Sequence, residues 1–513
     1  MESMDACSVR PRTKGRAKPA PDLLAKAHLV DVTAPGMEGL ALWLADRGLD
    51  VTGSIGPADQ DSAAAARLRE AGVGVVVGFD ACNVRAGRTC VVWSGVVAAA
   101  HPELDRAQEL KLPVLARAHA LAVTAGFGGQ LVAVGGSHGT ATAAAVLAVA
   151  LDDGHTGWIL NAPARNGPPG HGGDRRLVVD LCPDTTTHEA APLGSWSFRP
   201  GTATLYRRPQ PAVTLITSAT RNAPHFEDTI EALNDATSLA RSSGTVVLPL
   251  WDKGAKIVHE RLTDRPSLTG GPGPTVVTVG ITEDADVWVL TPRWLGSEYL
   301  LTLHYQGVQH QFTVPVIGRH HALAVCAAIA TALVVGEDPQ AVAERIGTFR
   351  GAMCSLAVLG TEYGITVVTS GALHPREICQ DVTAARMLTE ENVVVVLESD
   401  GMARTSAHAV ELGAALGDAD LALLLPVSTP LAECPEPDPL DAVERAAVRA
   451  LGDGAVHRVR CGLNDPGPEQ RVFEMTAEGD LVLVVGTGRR TERLGRRLLH
   501  RLRPAGALGD DRP

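Results

Sequence analysis

Aromatic side chains are scarce in this 513-residue chain, at 4%, and charged residues make up only 20%. Cores must therefore be built from aliphatic and small residues, and a chain dominated by Ala, Gly and Val suits closely packed α/β domains. There is no cationic excess either. Lys and Arg number 46 against 58 Asp and Glu, a formal net charge of −12. That argues against non-specific nucleic-acid binding, and no nucleic-acid partner is expected. The nine cysteines form no C-x-x-C pair and their number is odd, which argues against a zinc site or a closed disulfide frame and for a reducing compartment. The longest apolar run, residues 322–336, is too short and too alanine-rich for a membrane span. No apolar stretch follows the basic N-terminus, as a signal peptide would require. A cytoplasmic protein with no membrane partner is expected.

What is present is alternation. After a Pro- and Gly-rich start bearing Arg10, Arg12, Lys14, Arg16 and Lys18, expected to be a disordered basic tail over residues 1–23, the chain alternates strand and helix patterns. His28 to Val32 reads as a strand, Met37 to Arg47 as a helix stopped by Gly48, and a second strand begins near Val51. The same alternation restarts near Gly126, where "LVAV" enters a glycine-rich loop and a long alanine helix, and again near Phe349. "VWVLTP" and "EYLLTLHYQGVQHQFTVPV" read as paired antiparallel strands. At about 100–200 residues per domain the length fits three domains. Strands alternating with helices imply parallel sheets with right-handed crossovers, an α/β fold class.

The order of several short stretches resembles the Mur ligases, and within them the branch that joins L-alanine to UDP-N-acetylmuramate. "HLVDVTAPGMEGLA" is similar to a strand and loop ending G-M-S-G-L-A, and "VVWSGVVAAAHPEL" to V-V-S-S-A-I…N-P-E-L. "AVGGSHGTATA" is similar to A-V-A-G-T-H-G-K-T-T-T, "IGRHHALAVCAAIA" to P-G-R-H-N-V-L-N-A-L-A-A-I-A, and "VVTSGALHPREI" to V-V-D-D-Y-A-H-H-P-T-E-I. The matches run in order from Ala27 to Leu499. The resemblance implies three domains: a Rossmann-like UDP-binding unit over residues 24–124, a central P-loop-type ATPase-like unit over 125–347, and a Rossmann-like C-terminal unit over 348–513. It also implies ATP and Mg2+ as cofactors, and a reaction in which a carboxylate becomes an acyl phosphate and an amine attacks it.

Each motif departs from the family pattern. In the central loop, peptide N–H groups of Gly136, Ser137, His138 and Gly139 could cradle an anion at a helix N-terminus. Thr140 stands where the family has lysine, and Ala141 where it has a magnesium-binding hydroxyl; Thr142 keeps a hydroxyl one step later. Loss of one pre-placed stabiliser of transition-state charge costs about 10²–10³ in rate. Asp180 stands where a first metal carboxylate is expected, and is read either as a weak ligand or as an ordinary strand-end aspartate. The second acidic element becomes Ser218-Ala219-Thr220-Arg221-Asn222-Ala223, without carboxylates and with a cation that would repel a metal. On the adenine side His320 matches, but His321 and Ala324 replace two asparagines; the pair reads as nucleotide contact or as interdomain packing. His374, Pro375 and Glu377 stay, and a helix start explains Pro375 and Glu377 without catalysis. His374 and Asp180 are the two catalytic candidates. In the first loop Gly36, Met37, Glu38 and Gly39 hold the substrate-side positions, with Pro35 removing a donor and Glu38 placing a carboxylate where a diphosphate would sit.

Two functions follow as expectations. The first is a catalytically impaired homologue that keeps the body and acts by binding a nucleotide sugar, an amino-acid-bearing small molecule or another protein. The second is a working ATP-dependent amide ligase on a changed substrate, in which Asp180, Thr142, Lys253 or Lys256 has taken over the missing roles.

Overall fold

Runs such as "VVVVL" and "LVLVV" have no polar face, so they can only be strands covered on both sides, and both are fully buried at Val393–Leu397 and Leu481–Val485. The computed structural model describes residues 20–34, 36–94, 101–126, 129–181, 210–221, 228–264, 273–427, 438–459, 467–486 and 488–502. Residues 1–19 of the expected basic tail, Pro35, Asn222 and Ala223 lie outside the described residues; the tail expected to run to residue 23 ends earlier, because Ala20–Leu24 forms a helix whose Leu23 and Leu24 are buried in the core of the first sheet.

The described strands form three sheets. The first contains β1 (Ala27–Val30), β2 (Thr52–Ile55), β3 (Gly74–Val77), β4 (Cys90–Trp93) and β5 (Val114–Ala116), all parallel, in the order β3-β2-β1-β4-β5. The second opens with β6 (Gln130–Gly135), β7 (Thr156–Ile159), β8 (Gly170–His171) and β9 (Arg176–Asp180). It continues with β10 (Val213–Ile216), β11 (Thr245–Pro249), β12 (Thr275–Gly280) and β13 (Val287–Val289), and ends in β14 (Arg293–Trp294), β15 (Tyr299–Tyr305) and β16 (Val308–Val314). Its centre, β9-β6-β10-β11-β12-β13, is parallel, and β13, β15 and β16 pair antiparallel, as the sequence pattern predicts. The third sheet holds β17 (Ala357–Glu362), β18 (Ile365–Ser370), β19 (Val393–Leu397), β20 (Leu421–Leu424), β21 (Val456–Arg458) and β22 (Leu481–Val485). Its order is β17-β18-β22-β19-β20-β21, with only β17 antiparallel.

The alanine-rich helices explain the composition. Thr140–Ala150 is buried at nine of its positions, and it packs with Arg319–Val335 in one core beside the second sheet. Small side chains let the two backbones approach where leucines would hold them apart. Among the described residues no helix is long and apolar enough to cross a membrane.

The first and second sheets share one continuous core rather than touching at a surface. The helix Met37–Asp46 presses on β7 and β8 through glycine. A Cβ on Gly39 would lie 2.7 Å from Pro169 O and 2.9 Å from Leu160 O, and one on Gly170 would lie 2.0 Å from Gly39 O. These obstacles are backbone and cannot swing aside. Gly39→Ala is therefore expected to destabilise the protein by about 1–3 kcal/mol, as overpacking does; a urea-unfolding midpoint equal to wild type would contradict the packing account.

Candidate functional site

β6 ends at Gly135, and the chain turns through Gly136, Ser137, His138 and Gly139 into the helix Thr140–Ala150. Geometry demands the glycines. Gly136 has φ +150°, and a Cβ there would lie 2.3 Å from Thr217 Oγ1; Gly139 caps the helix at φ +74°. The loop is tied to the turn after β10. Ser137 N donates to Ser218 O (3.2 Å) and His138 N to Ser218 Oγ (2.9 Å). The hydroxyls of Thr217 and Ser218 donate to His138 O at 2.6 and 2.9 Å, and Thr220 N donates to Ser137 Oγ at 2.9 Å. The amide next to the helix, Gly139 N, donates to Glu377 Oε1 at 2.8 Å.

Glu377 comes from the third sheet's unit, in the first turn of the helix Pro375–Arg386. Sequence reasoning gave it only its own helix end to serve; its carboxylate also crosses to the other unit's loop. His374 caps the same helix. Its Nδ1 accepts from Arg376 N (3.2 Å), so its Nε2 carries the proton and donates to Arg221 O (2.9 Å). Arg221 replies with Nη2 donating to Ala407 O (2.7 Å) and Nη1 to Glu411 (3.3 Å). The cation expected to repel a metal is thus an interdomain anchor.

Burial pushes the imidazole pKa values down along this seam. His138 falls to about 4, opposed by the Glu377 carboxylate and helped by the nearby charges of His374 and Arg376. His408 also falls to about 4, first through burial and then through His374 and Arg221. The His138 and His374 rings lie 5.1 Å apart, and those of His374 and His408 5.6 Å. Asp252 closes the group: its Oδ1 accepts from Ala255 N (2.9 Å), and its Oδ2 lies 3.7 Å from Arg376 Nη1 and 4.0 Å from His138 Nε2.

Asp180 stands opposite Val134 across the parallel β6–β9 pairing, at the strand ends beside the loop, as a ligand there would have to. It is buried and accepts from Asn161 N at 3.4 Å. Thr140 and Thr142 are buried, and Ala141 offers only a methyl group. Thr142 Oγ1 lies 3.7 Å from Cys354 Sγ, whose thiol burial pushes up to about 12. Lys253 and Lys256 are exposed on the helix Lys253–Thr263, and the charge of Lys256 acts on Asp284. The adenine-side pair, His320 and His321, meets Asp381 of the Pro375–Arg386 helix, at 2.8 and 3.3 Å.

On the substrate side, Gly36 caps the helix Met37–Asp46 at φ +73°. A Cβ there would lie 2.2 Å from Asn161 Oδ1 and 2.4 Å from Arg117 Nη1, and Arg117 donates to Asn161 at 2.9 Å. Met37 is fully buried. Glu38 lies in the helix's first turn, but its carboxylate takes the Arg67 guanidinium at 2.8 Å rather than only its own helix end. Sequence reasoning missed Arg117, Asn161 and Asp381, which belong to no motif. It also missed Glu103, inside the quoted "HPEL". That carboxylate is buried and accepts from Asn83 (2.6 Å) and Ser54 (2.7 Å), with His28 Nε2 at 3.3 Å. Burial works to raise its pKa, and these partners outweigh it and hold it low.

Residues 26–127 match the family model described as "Mur ligase family, catalytic domain". The chain is 31% identical to a UDP-N-acetylmuramate–L-alanine ligase of Streptomyces coelicolor, over 94% of this chain and 98% of that protein. The protein of the same description from Streptomyces avermitilis is 30% identical, with the same coverage. The chain belongs to the Mur ligase family. Among solved structures, the UDP-N-acetylmuramate-alanine ligase of Thermotoga maritima aligns with a TM-score of 0.68 at 20% identity, covering 93% of this chain and 98% of that one. A murein peptide ligase from Psychrobacter arcticus aligns at 0.65 and 16%, covering 94% and 100%. The three-sheet α/β architecture is thus that of the Mur ligases.

Because burial depresses His138 to about 4, its imidazole stays neutral in the folded protein where the same side chain in an unfolded chain, with its ordinary pKa of about 6.5, takes up a proton. Between those values the unfolded state binds more protons, so stability falls as the pH drops. Each such histidine contributes a loss of about 1–2 kcal/mol between pH 7 and 5. Urea unfolding at both pH values is expected to show a smaller loss in His138→Gln than in wild type. An unchanged slope would mean that His138 is accessible to protons in the folded state.

Proposed function

We propose that this Mur ligase family member is a catalytically impaired homologue that acts by binding in cell-wall or natural-product metabolism. One observation carries the reading: Thr140 stands where the family has lysine, so Glu377, which the family pattern shares and which accepts from the loop amide of Gly139, faces the helix start without that cation. A phosphate at that helix end would meet Glu377 as like charge, without the family's lysine and with the nearby Arg376 guanidinium lying 3.7 Å from Asp252. The amides of Ser137 and His138 are also spent within the protein. A hard cation needs several oxygen ligands, and Asp180 and the Thr142 hydroxyl are the two oxygen donors put forward for it. These residues do not fit magnesium ATP. The units at 24–124, 125–347 and 348–513 carry one sheet each in this reading, and a cytoplasmic setting goes with it.

On the substrate side the arrangement is more permissive. Arg117 reaches the N-terminus of the Met37–Asp46 helix, where it would offset the Glu38 carboxylate toward an anionic nucleotide sugar. The reading therefore separates two sites, one retained and one closed. A second reading, an active ligase with replaced residues, has one observation in its favour: Asp180 stands at the strand end beside the loop.

Calorimetric titration with ATP and Mg2+, then with UDP-N-acetylmuramate, decides between them, followed by a phosphate-release assay with the common amino acids. The expected outcome is no turnover and no nucleotide binding at millimolar ATP. Glu377→Gln, which removes the competing charge, is expected to strengthen any residual ATP binding by about tenfold, or 1.4 kcal/mol. Magnesium-dependent ATP hydrolysis that needs an amino acid and is abolished by Gly139→Asp would sink the proposal.

A further inference from the structure

Where the Arg319–Val335 helix begins, two consecutive histidines turn toward one aspartate of another unit. His320 Nε2 lies 2.8 Å and His321 Nε2 3.3 Å from the same Asp381 Oδ1, and the two rings are 3.9 Å apart. Asp381 is 1% exposed. The three atoms are buried, and none makes a hydrogen bond of acceptable angle. Two N–H groups aimed at one oxygen, both misaligned, are a costly way to bury a carboxylate.

A cation removes that cost. Around a tetrahedral zinc, with bonds of about 2.0–2.2 Å, neighbouring ligand atoms lie about 3.3 Å apart. The two nitrogen–oxygen separations, 2.8 and 3.3 Å, are at or somewhat below that value, and all three donor atoms fall within 4.8 Å of one another. We infer that His320, His321 and Asp381 form a binding site for a zinc-class divalent cation, clamping the central unit to the C-terminal unit. Two imidazole nitrogens and one carboxylate oxygen suit zinc or cobalt and disfavour magnesium and calcium, which take oxygen ligands. Among the described residues this is the one group of three such side chains with converging donor atoms.

The surroundings support the carboxylate. Ser370 donates to the second oxygen, Asp381 Oδ2, and Ala372 N donates to Ser370 Oγ at 3.0 Å. Such supporting bonds orient a ligand and hold it ionised. Space for the imidazole comes from Gly318, which caps the helix at φ +92°; a Cβ there would lie 2.8 Å from His320 Cε1 and 2.9 Å from Ala384 Cβ. The positive end of the helix opposes a cation, and the buried charge of Asp381 answers it. Three protein ligands leave a fourth position for water or a small anion. The inference does not depend on whether the central loop takes a nucleotide.

The test is titration of the metal-stripped full chain with Zn2+ against a chromophoric chelator, and with Co2+ followed by its visible ligand-field bands. Wild type is expected to take one equivalent, to show the bands of four-coordinate Co2+, and to melt at lower temperature when chelator is added. Removing a ligand outright should weaken binding by more than the 10–100-fold typical of losing a supporting hydrogen bond, so His321→Gln and Asp381→Asn are each expected to lose about 100-fold or more. No stoichiometric uptake by wild type would overturn the site, as would equal binding by both variants. Should the variants misfold, X-ray absorption of the wild-type zinc form still decides: two imidazole nitrogens around the metal support the site, and sulfur there refutes it.

Discussion

A helix that begins inside a protein leaves its first peptide N–H groups without partners of its own, and something must accept from them. In this chain the helix Thr140–Ala150 begins in the middle of the molecule, so the identity of those acceptors governs the rest. In a nucleotide-binding loop the acceptor is phosphate. Here Glu377 serves Gly139 at the helix N-cap, and Ser218 serves Ser137 and His138 in the loop that leads into it. The Glu377 bond runs between units, and a seam with buried histidines and a half-exposed rim surrounds it: His374 on Arg221 O, Arg221 on Ala407 and Glu411, and Arg376 beside Asp252. Burial of that seam is in turn what drives His138, His374 and His408 toward their neutral forms.

The fold was largely legible in the sequence, for a physical reason. Strands buried on both faces must be apolar throughout, and helices between them must be periodic, so "VVVVL", "LVLVV" and the "LVAV" to alanine-helix step announce themselves at short range. Gly36, Gly39, Gly136 and Gly139 were legible as well, because strand-to-helix turns and close backbone approaches demand a missing Cβ. The predicted start of the helix at Pro375 is found as such, and His374, put forward as a catalytic candidate, is its N-cap.

The site was legible only in part, because its partners are remote in sequence. Nothing near Glu377 says that its carboxylate reaches Gly139, 238 residues away. Nothing near His320 points to Asp381, which lies on the third unit's helix and sits in an otherwise ordinary "CQDVTAAR" stretch. Local reasoning gave Glu38 the end of its own helix to satisfy, whereas Arg67 of the next helix is in reach and takes it. A charge chooses its partner in three dimensions, and sequence spacing resolves that choice only within one helix turn.

The replaced positions share one direction of change. Between the two acidic positions of the family's second metal element, which are Thr220 and Asn222 in this chain, stands Arg221, whose bonds go to protein atoms across the seam. Where the family pattern has amides at the adenine side, this chain has His321, which faces Asp381 across the same seam. A ligand placed between units must leave their contact weak enough to open, since closure stores part of the binding energy. Side chains that bond directly across the gap remove that need, because a bond made in the free protein no longer has to be supplied by ligand. Each replacement therefore trades affinity for a bound molecule against stability of the closed body. The trade is coherent across Arg221 and His321 because both meet partners on one surface, the seam at which the helix Thr140–Ala150 begins and on which the retained His374 and Glu377 also lie.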